Sequence, residues 1–298
     1  MRSLIKKQTF FTLEITPLHG TGTCDIVKKI ENTRLVSKID AFIVTDNPLA
    51  RLKSNSVVTS LKLQEHFKKP SIATISMRDK NKIALQSDLL GANELGVNSI
   101  LALTGDSAAA SDQPNVKGVF EANSLLLLEI IKCFNAGIDY SGKPFSYPPK
   151  PISAFCVCNA IANHQKSLQK KIAAKLRFSP FGIISQPIYS IQDAQTLKKI
   201  FDDAKNEFKE IETELIFGFF PVTRLRTAQF LNSHVPGIQI PKEWMLKLEN
   251  AKKISEEKEF ETGFELSKTI LKNLTDFHPK IHIMGANNFS LLDKLFGL

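Results

Sequence analysis

The sequence lacks the features that would place it in a membrane or around a metal ion. No apolar run approaches the roughly 20 residues that a membrane span requires, so no membrane association is expected. The four cysteines, Cys24, Cys133, Cys156 and Cys158, form no C-x-x-C pair and have no metal-ligand spacing. We therefore expect reduced packing cysteines, no metal site and a cytoplasmic protein.

Three other features are missing. The first 17 residues are basic and then apolar, but they contain Glu14 and no small-residue cleavage site, which argues against a signal peptide. The net charge of +9 comes from scattered lysines without a basic arm, so we expect an anionic cofactor as partner and no nucleic acid. A G-x-G-x-x-G turn is absent, which disfavours a doubly wound dinucleotide-binding sheet.

Short apolar runs recur along the chain and predict eight buried strands. They are "FFTLEIT" (10–16), "AFIVT" (41–45), "SIATIS" (71–76), "SILALT" (99–104), "SAFCVC" (153–158), "FGIISQ" (181–186), "ELIFGFF" (214–220) and "KIHIMG" (280–285). Segments with helical periodicity separate these runs, for example residues 24–39 and 81–96. Eight strand–helix alternations in 298 residues predict an α/β protein, a single-domain (β/α)8 TIM barrel spanning residues 1–298.

Two connections are long. Residues 106–152 are polar and proline-rich around one helical segment, and residues 221–279 contain an additional helical pattern, "PKEWMLKLENAKKI". Because strand-to-helix loops carry the chemistry of a barrel, the first interval is a candidate lid or cofactor clasp.

Polar residues stand at or just after the carboxyl ends of the predicted strands, which meet at one mouth of a barrel. They are Glu14, Thr45, Asp46, Asn47, Ser76, Thr104, Asp106, Asn159, Gln186 and Asn287.

Glu14 lies between two apolar strand residues and is expected to point into the barrel. An inward carboxylate indicates either acid–base chemistry or an ion pair with an inward Lys or Arg. His278 and His282 are expected to serve stability near the start of the last strand, while His19 is the histidine expected on the mouth side.

Asp106 ends the apolar run "LALTGD" (101–106) and permits two interpretations. It is either the N-cap of a following helix, where Asp is favoured, or a functional carboxylate at the mouth. Two carboxylates in different environments would suit acid–base work.

Longer motifs resemble one family. "TLEITP", "IVTDNPLARLKSNS", "MRDKNKIALQSDLLGANELGVNSILALTGD" and "ISQPIY" are similar to segments of the methylenetetrahydrofolate reductases, in particular acetogen-type enzymes and reductase domains fused to a homocysteine methyltransferase. The resemblance covers most of the chain and is densest over residues 41–106. It implies a barrel that holds FAD, with FMN as the alternative, and reduces 5,10-methylenetetrahydrofolate to 5-methyltetrahydrofolate. NADH, NADPH or an accessory electron-transfer protein would supply the electrons. Both a monomer and a homo-oligomer are compatible with the sequence.

The resemblance also implies roles for individual residues. Glu14 matches the acid that assists opening of the methylene bridge, Asp106 the carboxylate beside the flavin, and Gln186 an amide that binds the pterin. Cofactor contacts are implied for Thr45, Asn47, Thr74, Leu103, Thr104, Gly105, Asp106, Phe120, Asn159 and Lys175.

The sequence departs from the family near the cofactor. Thr74 stands where many members have His, "ISMRDKN" replaces "TCRDRN", and the loop at 107–115 and the segment "AAKLRFS" beside Lys175 also differ. Two alternatives therefore stay open. One is a flavin- or folate-binding barrel without catalysis. The other is a lyase or aldolase on the same fold, for which the required strand-end lysine or metal cluster is missing.

Overall fold

Eight parallel strands form a closed barrel in which neighbours in the chain are neighbours in the sheet. The computed structural model describes residues 1–162, 164–208, 210–235 and 237–297. The strands are β1 (Phe10–Ile15), β2 (Ala41–Val44), β3 (Ser71–Ser76), β4 (Ser99–Leu103), β5 (Ser153–Cys158), β6 (Gly182–Pro187), β7 (Glu214–Phe219) and β8 (Lys280–Ile283). β1 pairs with both β2 and β8, which closes the barrel and confirms the predicted TIM-barrel fold.

Helices occupy the connections and cover the outside of the barrel. They are α1 (Arg2–Ile5), α2 (Thr23–Glu31), α3 (Leu35–Lys38), α4 (Ser56–Phe67), α5 (Lys82–Glu94), α6 (Ser124–Asn135), α7 (Gln165–Leu176), α8 (Ile191–Asn206), α9 (Leu225–His234), α10 (Lys242–Ile254), α11 (Glu256–Phe277) and α12 (Phe289–Leu295). The side chains of Asn55, Asn81 and Asn123 accept first-turn N–H groups and so fix the starts of α4, α5 and α6. Within the described ranges, no helix has the length and apolar character of a membrane span.

The segment with helical periodicity at residues 24–39 forms two helices, α2 and α3, with a break between them. The Thr33 hydroxyl donates to the carbonyl of Ile30 at 2.6 Å and accepts the N–H of Leu35 at 3.4 Å. A threonine that bonds locally in this way offers the backbone an alternative to the helix. The helical periodicity on either side therefore belongs to two separate elements.

Alternation of side chains along each strand creates an inner and an outer core. The inner core takes one apolar residue from each of the first seven strands and Ile5 from α1. These strand residues are Phe10, Ile43, Ile72, Leu101, Phe155, Ile184 and Ile216. Their alternate neighbours, such as Leu13, Ala73 and Ile183, pack outward against the helices. Residues two positions further along a strand, toward its carboxyl end, therefore face the barrel mouth.

The amino-terminal end of the barrel is closed by α1 and a buried lysine. Lys280 donates to the carbonyl of Ile5 at 2.7 Å and lies 2.9 Å from a carboxylate oxygen of Glu214. These contacts seal the end opposite to the mouth, so the interior opens to solvent at the carboxyl ends of the strands.

Candidate active site

The mouth of the barrel contains a cavity of about 280 Å³. Its wall is formed by Thr45, Asp46, Pro48, Ser76, Arg78, Leu103, Thr104, Gly105, Asp106, Ser124, Val157, Lys175 and Gln186. Seven residues to which the family resemblance gives a role meet here: Thr45, Leu103, Thr104, Gly105, Asp106, Lys175 and Gln186. Larger grooves, of about 610 and 540 Å³, lie on the outer helical layer, where none of the predicted site residues is found.

Four of the predicted cofactor residues lie outside this wall. Asn47 lines a neighbouring cavity of about 130 Å³, and Thr74 is buried one step deeper in β3 than Ser76. Phe120 lies in the loop before α6 with a left-handed backbone (φ 37°) and is partly exposed. Asn159 packs against the backbone at Gly237, where an added Cβ would meet its Cγ at 2.8 Å. Contact of these four residues with a cofactor stays a prediction.

Glu14 faces a histidine across the closure of the barrel. Its carboxylate Oε2 lies 3.8 Å from Nε2 of His282, and Nδ1 of the same ring lies 2.9 Å from the hydroxyl of Thr12. His282 is buried, whereas the Glu14 side chain is 20% exposed. The partner expected from the sequence was a Lys or Arg, and His282 was expected to serve stability alone. The barrel instead brings Thr12, His282 and Glu14 into one row of polar side chains.

Asp106 is exposed at the end of β4, and its carboxylate Oδ2 accepts the backbone N–H of Leu49 at 2.6 Å. The residue that caps the following turn is Ser107, whose hydroxyl accepts the N–H of Ala109. The N-cap interpretation of Asp106 is therefore wrong. Its bond runs to the loop after β2, across the edge of the cavity.

A charged cluster beside Asp106 was not identified from the sequence. Arg78 is 2% exposed and donates to both carboxylate oxygens of Asp79, at 2.8 and 2.6 Å. The hydrogen bond to Asp79 raises the pKa of the guanidinium, and the negative charges of Asp46 and Asp106 act in the same direction against the cost of burial. The signal was present as the run "MRDK" directly after the third strand.

Asp46 ties the ends of two strands together within this cluster. Its carboxylate accepts the backbone N–H of Ser76 at 3.0 Å and lies 3.8 Å from Nζ of Lys80. Lys80 in turn contacts Asp88 of α5 at 2.6 Å. Attraction by Asp46 and the bond to Asp88 raise the pKa of Lys80 above its usual value, although burial opposes them. These charged side chains therefore fix the positions of the strand ends on the side of β2 and β3.

Lys175 reaches the mouth from α7. Its ammonium group donates to the carbonyl of Val157 at the end of β5 and lines the cavity. Behind it, Cys156 and Cys158 are fully buried free thiols, and burial raises the pKa of each to about 12. Both side chains lie in the core, as expected for packing residues.

An irregularity in β6 directs Gln186 toward the cavity. The register between β6 and β7 shifts between Ile184 and Pro187, and the Ser185 hydroxyl accepts the N–H of Gly218 at 3.0 Å. A Cβ on Gly218 would overlap the carbonyl oxygen of Ser185. The absence of a side chain at Gly218 therefore allows the close approach that produces this irregularity.

The floor of the mouth contains polar atoms without partners. The hydroxyls of Thr74 and Ser76 are buried and make no hydrogen bond. Buried polar atoms are normally paired, so these two fit a ligand or water that supplies the missing partner. Ser76 shares the cavity wall with the apolar side chains of Leu103 and Val157, and this combination suits the polar edge of a heteroaromatic ring such as a flavin. The cavity volume of about 280 Å³ is just below the roughly 300–1,000 Å³ of typical ligand pockets.

The remaining histidines take no part in this arrangement. His278 precedes β8, and its Nε2 lies 2.7 Å from the carbonyl oxygen of Leu215, while burial lowers its pKa. His19 is exposed after β1. In the part of the chain that the structure describes, no three His, Cys, Asp or Glu side chains are grouped to hold a metal ion.

Comparison with known proteins agrees with this architecture. The chain superposes on a protein from Clostridium thermocellum, described as binding two copies of 5-methyl-5,6,7,8-tetrahydrofolic acid, with a TM-score of 0.62 and 15% identity over 100% of this chain and 99% of the other. It also superposes on DmoA from Hyphomicrobium sulfonivorans, with a TM-score of 0.60 and 10% identity over 97% and 87% of the two chains. At these identities the two structures show the fold alone.

A search of curated protein sequences gives no match. The family model described as "Methylenetetrahydrofolate reductase", however, matches residues 1–296, nearly the whole chain. The chain belongs to the methylenetetrahydrofolate reductase family.

Proposed function

We propose that this protein is a flavoenzyme that reduces 5,10-methylenetetrahydrofolate to 5-methyltetrahydrofolate and so supplies methyl groups to one-carbon and methionine metabolism. One observation carries the proposal. Seven residues that the family resemblance assigns to flavin and folate line a single cavity at the barrel mouth. They come from the ends of β2, β4 and β6 and from α7, so their meeting depends on the fold and not on sequence proximity.

The flavin, FAD or alternatively FMN, would lie against the ends of β2, β3 and β4. Thr45, Thr104 and Gly105 line this part of the cavity, and the unpartnered hydroxyl of Ser76 offers a hydrogen bond there. Lys175 adds a positive charge on the side of α7, which suits the anionic part of the cofactor. When bound, the flavin supplies the hydride that the reaction needs.

Glu14 is assigned the proton transfer. Opening the five-membered ring of the substrate requires a proton at the bridging nitrogen, and a carboxylic acid at the mouth delivers it. His282 lies on the interior side of Glu14 and bonds in turn to Thr12. This row can hold the carboxyl group in place, and the partly exposed Glu14 can regain its proton from solvent after each turnover.

Asp106 and Gln186 are assigned to the folate ring and the charge that develops on it. A carboxylate at the edge of the cavity stabilises the positive charge that forms when the ring opens. The Gln186 amide has two N–H donors and two acceptor positions, which suits the mixed donor–acceptor edge of a pterin.

The test is an anaerobic experiment on the purified protein with FAD. Addition of NADH or NADPH, or of a reduced accessory protein, should bleach the flavin, and methylenetetrahydrofolate should then restore its absorbance. The proposal is refuted if the purified protein binds neither FAD nor FMN. Charge reversal at Lys175 should weaken flavin binding, more at low salt than at high salt, because exposed charges are screened.

A second candidate is a folate-binding barrel without redox activity. The neighbour from Clostridium thermocellum is described as binding 5-methyltetrahydrofolate, and the cavity of about 280 Å³ at the barrel mouth is just below the roughly 300–1,000 Å³ of typical ligand pockets. The same experiment separates the candidates. Tight binding of 5-methyltetrahydrofolate by a protein that takes up no flavin would favour the second.

A further inference from the structure

The loop after β2 has an unusual backbone at the edge of the mouth. We use "strap" for residues 47–53 of this loop. Asn47, Leu49 and Ala50 adopt left-handed φ values of 42°, 56° and 55°. Asparagine tolerates this conformation, but a branched residue such as leucine rarely does. The strap therefore keeps its shape only as long as its contacts outweigh the backbone strain.

Two contacts from the loop after β4 hold the middle of the strap. The N–H of Leu49 donates to the Asp106 carboxylate at 2.6 Å, and the carbonyl of Ala50 accepts the hydroxyl of Ser111 at 2.7 Å. Within the strap, the N–H of Lys53 donates to the side chain of Asn47 at 2.8 Å. The bond to Asp106 is the one that involves a full charge, and such bonds are stronger than neutral ones.

The strap gains little from burial in this position. Leu49 and Leu52 are 42% and 53% exposed, and Val116 and Val119 on the opposite loop are 41% and 44% exposed. A cavity of about 130 Å³ lies between the two loops. A segment with exposed apolar side chains and few buried contacts opens at low cost in free energy.

The strap also borders the larger cavity at the barrel mouth. Pro48 forms part of the cavity wall, and the N–H of Leu49 occupies one oxygen of the Asp106 carboxylate. Displacement of the strap would widen the cavity beyond its present 280 Å³ and would also free the Asp106 carboxylate for a ligand.

We propose that the strap is a gate over the mouth, latched by the bond between Asp106 and Leu49, and that a ligand opens it by taking the Asp106 carboxylate for its own hydrogen bond. Backbone strain in the closed strap assists the opening. The ligand part of this inference rests on the proposed function, whereas the latch and the strain belong to the protein alone.

Hydrogen–deuterium exchange of the ligand-free protein tests the latch through the amide of Leu49. Asp106→Ala removes the acceptor and should raise the exchange rate at Leu49 at least tenfold, because a hydrogen bond to a charged group is lost. Asp106 is exposed, so the fold should survive, and thermal unfolding checks this. An exchange rate within about twofold of the wild-type rate would overturn the latch.

Ala50→Gly tests the backbone strain, and the expected change in the exchange rate at Leu49 is opposite to that in Asp106→Ala. Glycine adopts left-handed φ without penalty, so the closed strap should become more stable and exchange at Leu49 should slow by about three- to tenfold. Ala136→Gly is the matched control, since Ala136 is exposed at the end of α6 with φ −89°, and it should leave the strap unchanged. Faster exchange in Ala50→Gly would show that strain does not oppose closure.

Addition of FAD, and then of 5-methyltetrahydrofolate, tests the opening. Exchange should rise at Leu49 while it falls at Leu103 to Gly105, since the ligand displaces the strap and covers the end of β4. Slower exchange at both places would mean that the strap closes over the ligand, which would overturn the gate. If neither compound binds, the proposed function fails, and the two ligand-free measurements still decide the latch and the strain.

Discussion

Replacement of Glu14 by glutamine separates a catalytic from a structural role of this carboxylate. Glutamine keeps the size of the side chain but cannot deliver the proton. If Glu14 is the acid, folate reduction should fall by about 10²- to 10⁴-fold, which corresponds to about 2.7–5.5 kcal/mol in the activation barrier. Reduction of the flavin by its electron donor should stay within a factor of about two, because that half of the cycle needs no proton from Glu14.

The geometry predicts a small effect of the same change on stability. Two full charges at 3.8 Å attract by about 4 kcal/mol at an effective dielectric of about 20, and only when His282 is protonated. The Glu14 side chain is 20% exposed and the distance exceeds a hydrogen bond, so solvent reduces the net contribution to below about 1 kcal/mol. The melting temperature should therefore fall by no more than about 2–4 °C.

Stopped-flow measurement of the two half-reactions, with thermal unfolding alongside, provides the assay. His282→Gln serves as the companion variant. It should slow folate reduction less than Glu14→Gln does, and the double variant should be no slower than Glu14→Gln alone, because both residues act on the same proton. Equal losses in both half-reactions, together with a large fall in melting temperature, would refute the catalytic role of Glu14.

Three further predictions concern the mouth and the thiols. Asp106→Asn keeps an acceptor for the strap but removes the charge, so folate reduction should slow at least tenfold with almost unchanged thermal stability; an unchanged rate would exclude a catalytic charge. Gly218→Ala should lower the free energy of unfolding in urea by about 1–3 kcal/mol, because its Cβ overlaps the backbone of β6; a loss below about 0.5 kcal/mol would contradict this packing. At pH 8 a thiol reagent should modify the exposed Cys24 and spare Cys156 and Cys158, since a pKa of about 12 leaves these two protonated; all four should react after unfolding in guanidinium.

The strands were predictable because burial on both faces leaves a local signal in the sequence. The run 71–76 coincides with β3 and the run 153–158 with β5, and the other strands end within a few residues of the predicted positions. The break between α2 and α3, inside the helical segment 24–39, has an equally local reason. Thr33 competes for backbone hydrogen bonds, and apolar spacing alone does not reveal such a break.

Partners of the charged residues were not predictable, because the closure of the barrel selects them. The Thr12 hydroxyl and the His282 ring lie 270 residues apart in sequence and 2.9 Å apart in space, which brings His282 beside Glu14 as well. Asp106 bonds to a residue 57 positions earlier, although its neighbours in sequence suggested a local cap. Both pairs join residues that are far apart in sequence, so no local sequence pattern predicts them.

Polarity at a strand end is therefore a necessary sign of the site, and unused hydrogen-bonding capacity is the sign that discriminates. Asn287 stands at the end of the last strand, but its amide bonds both the N–H and the carbonyl of Thr16, and this joins β8 to β1. Asp46 is occupied in a similar way by the N–H of Ser76. Gln186 lines the cavity, and the hydroxyls of Thr74 and Ser76 are buried without a partner. Since a buried polar atom without a partner costs about 1–3 kcal/mol, a bound ligand that pairs with these hydroxyls would recover that free energy. Thr59 and Ser60 of α4 also have unpartnered hydroxyls, so a missing partner marks the place of a ligand only where it coincides with the carboxyl end of a strand, as it does at Thr74 and Ser76.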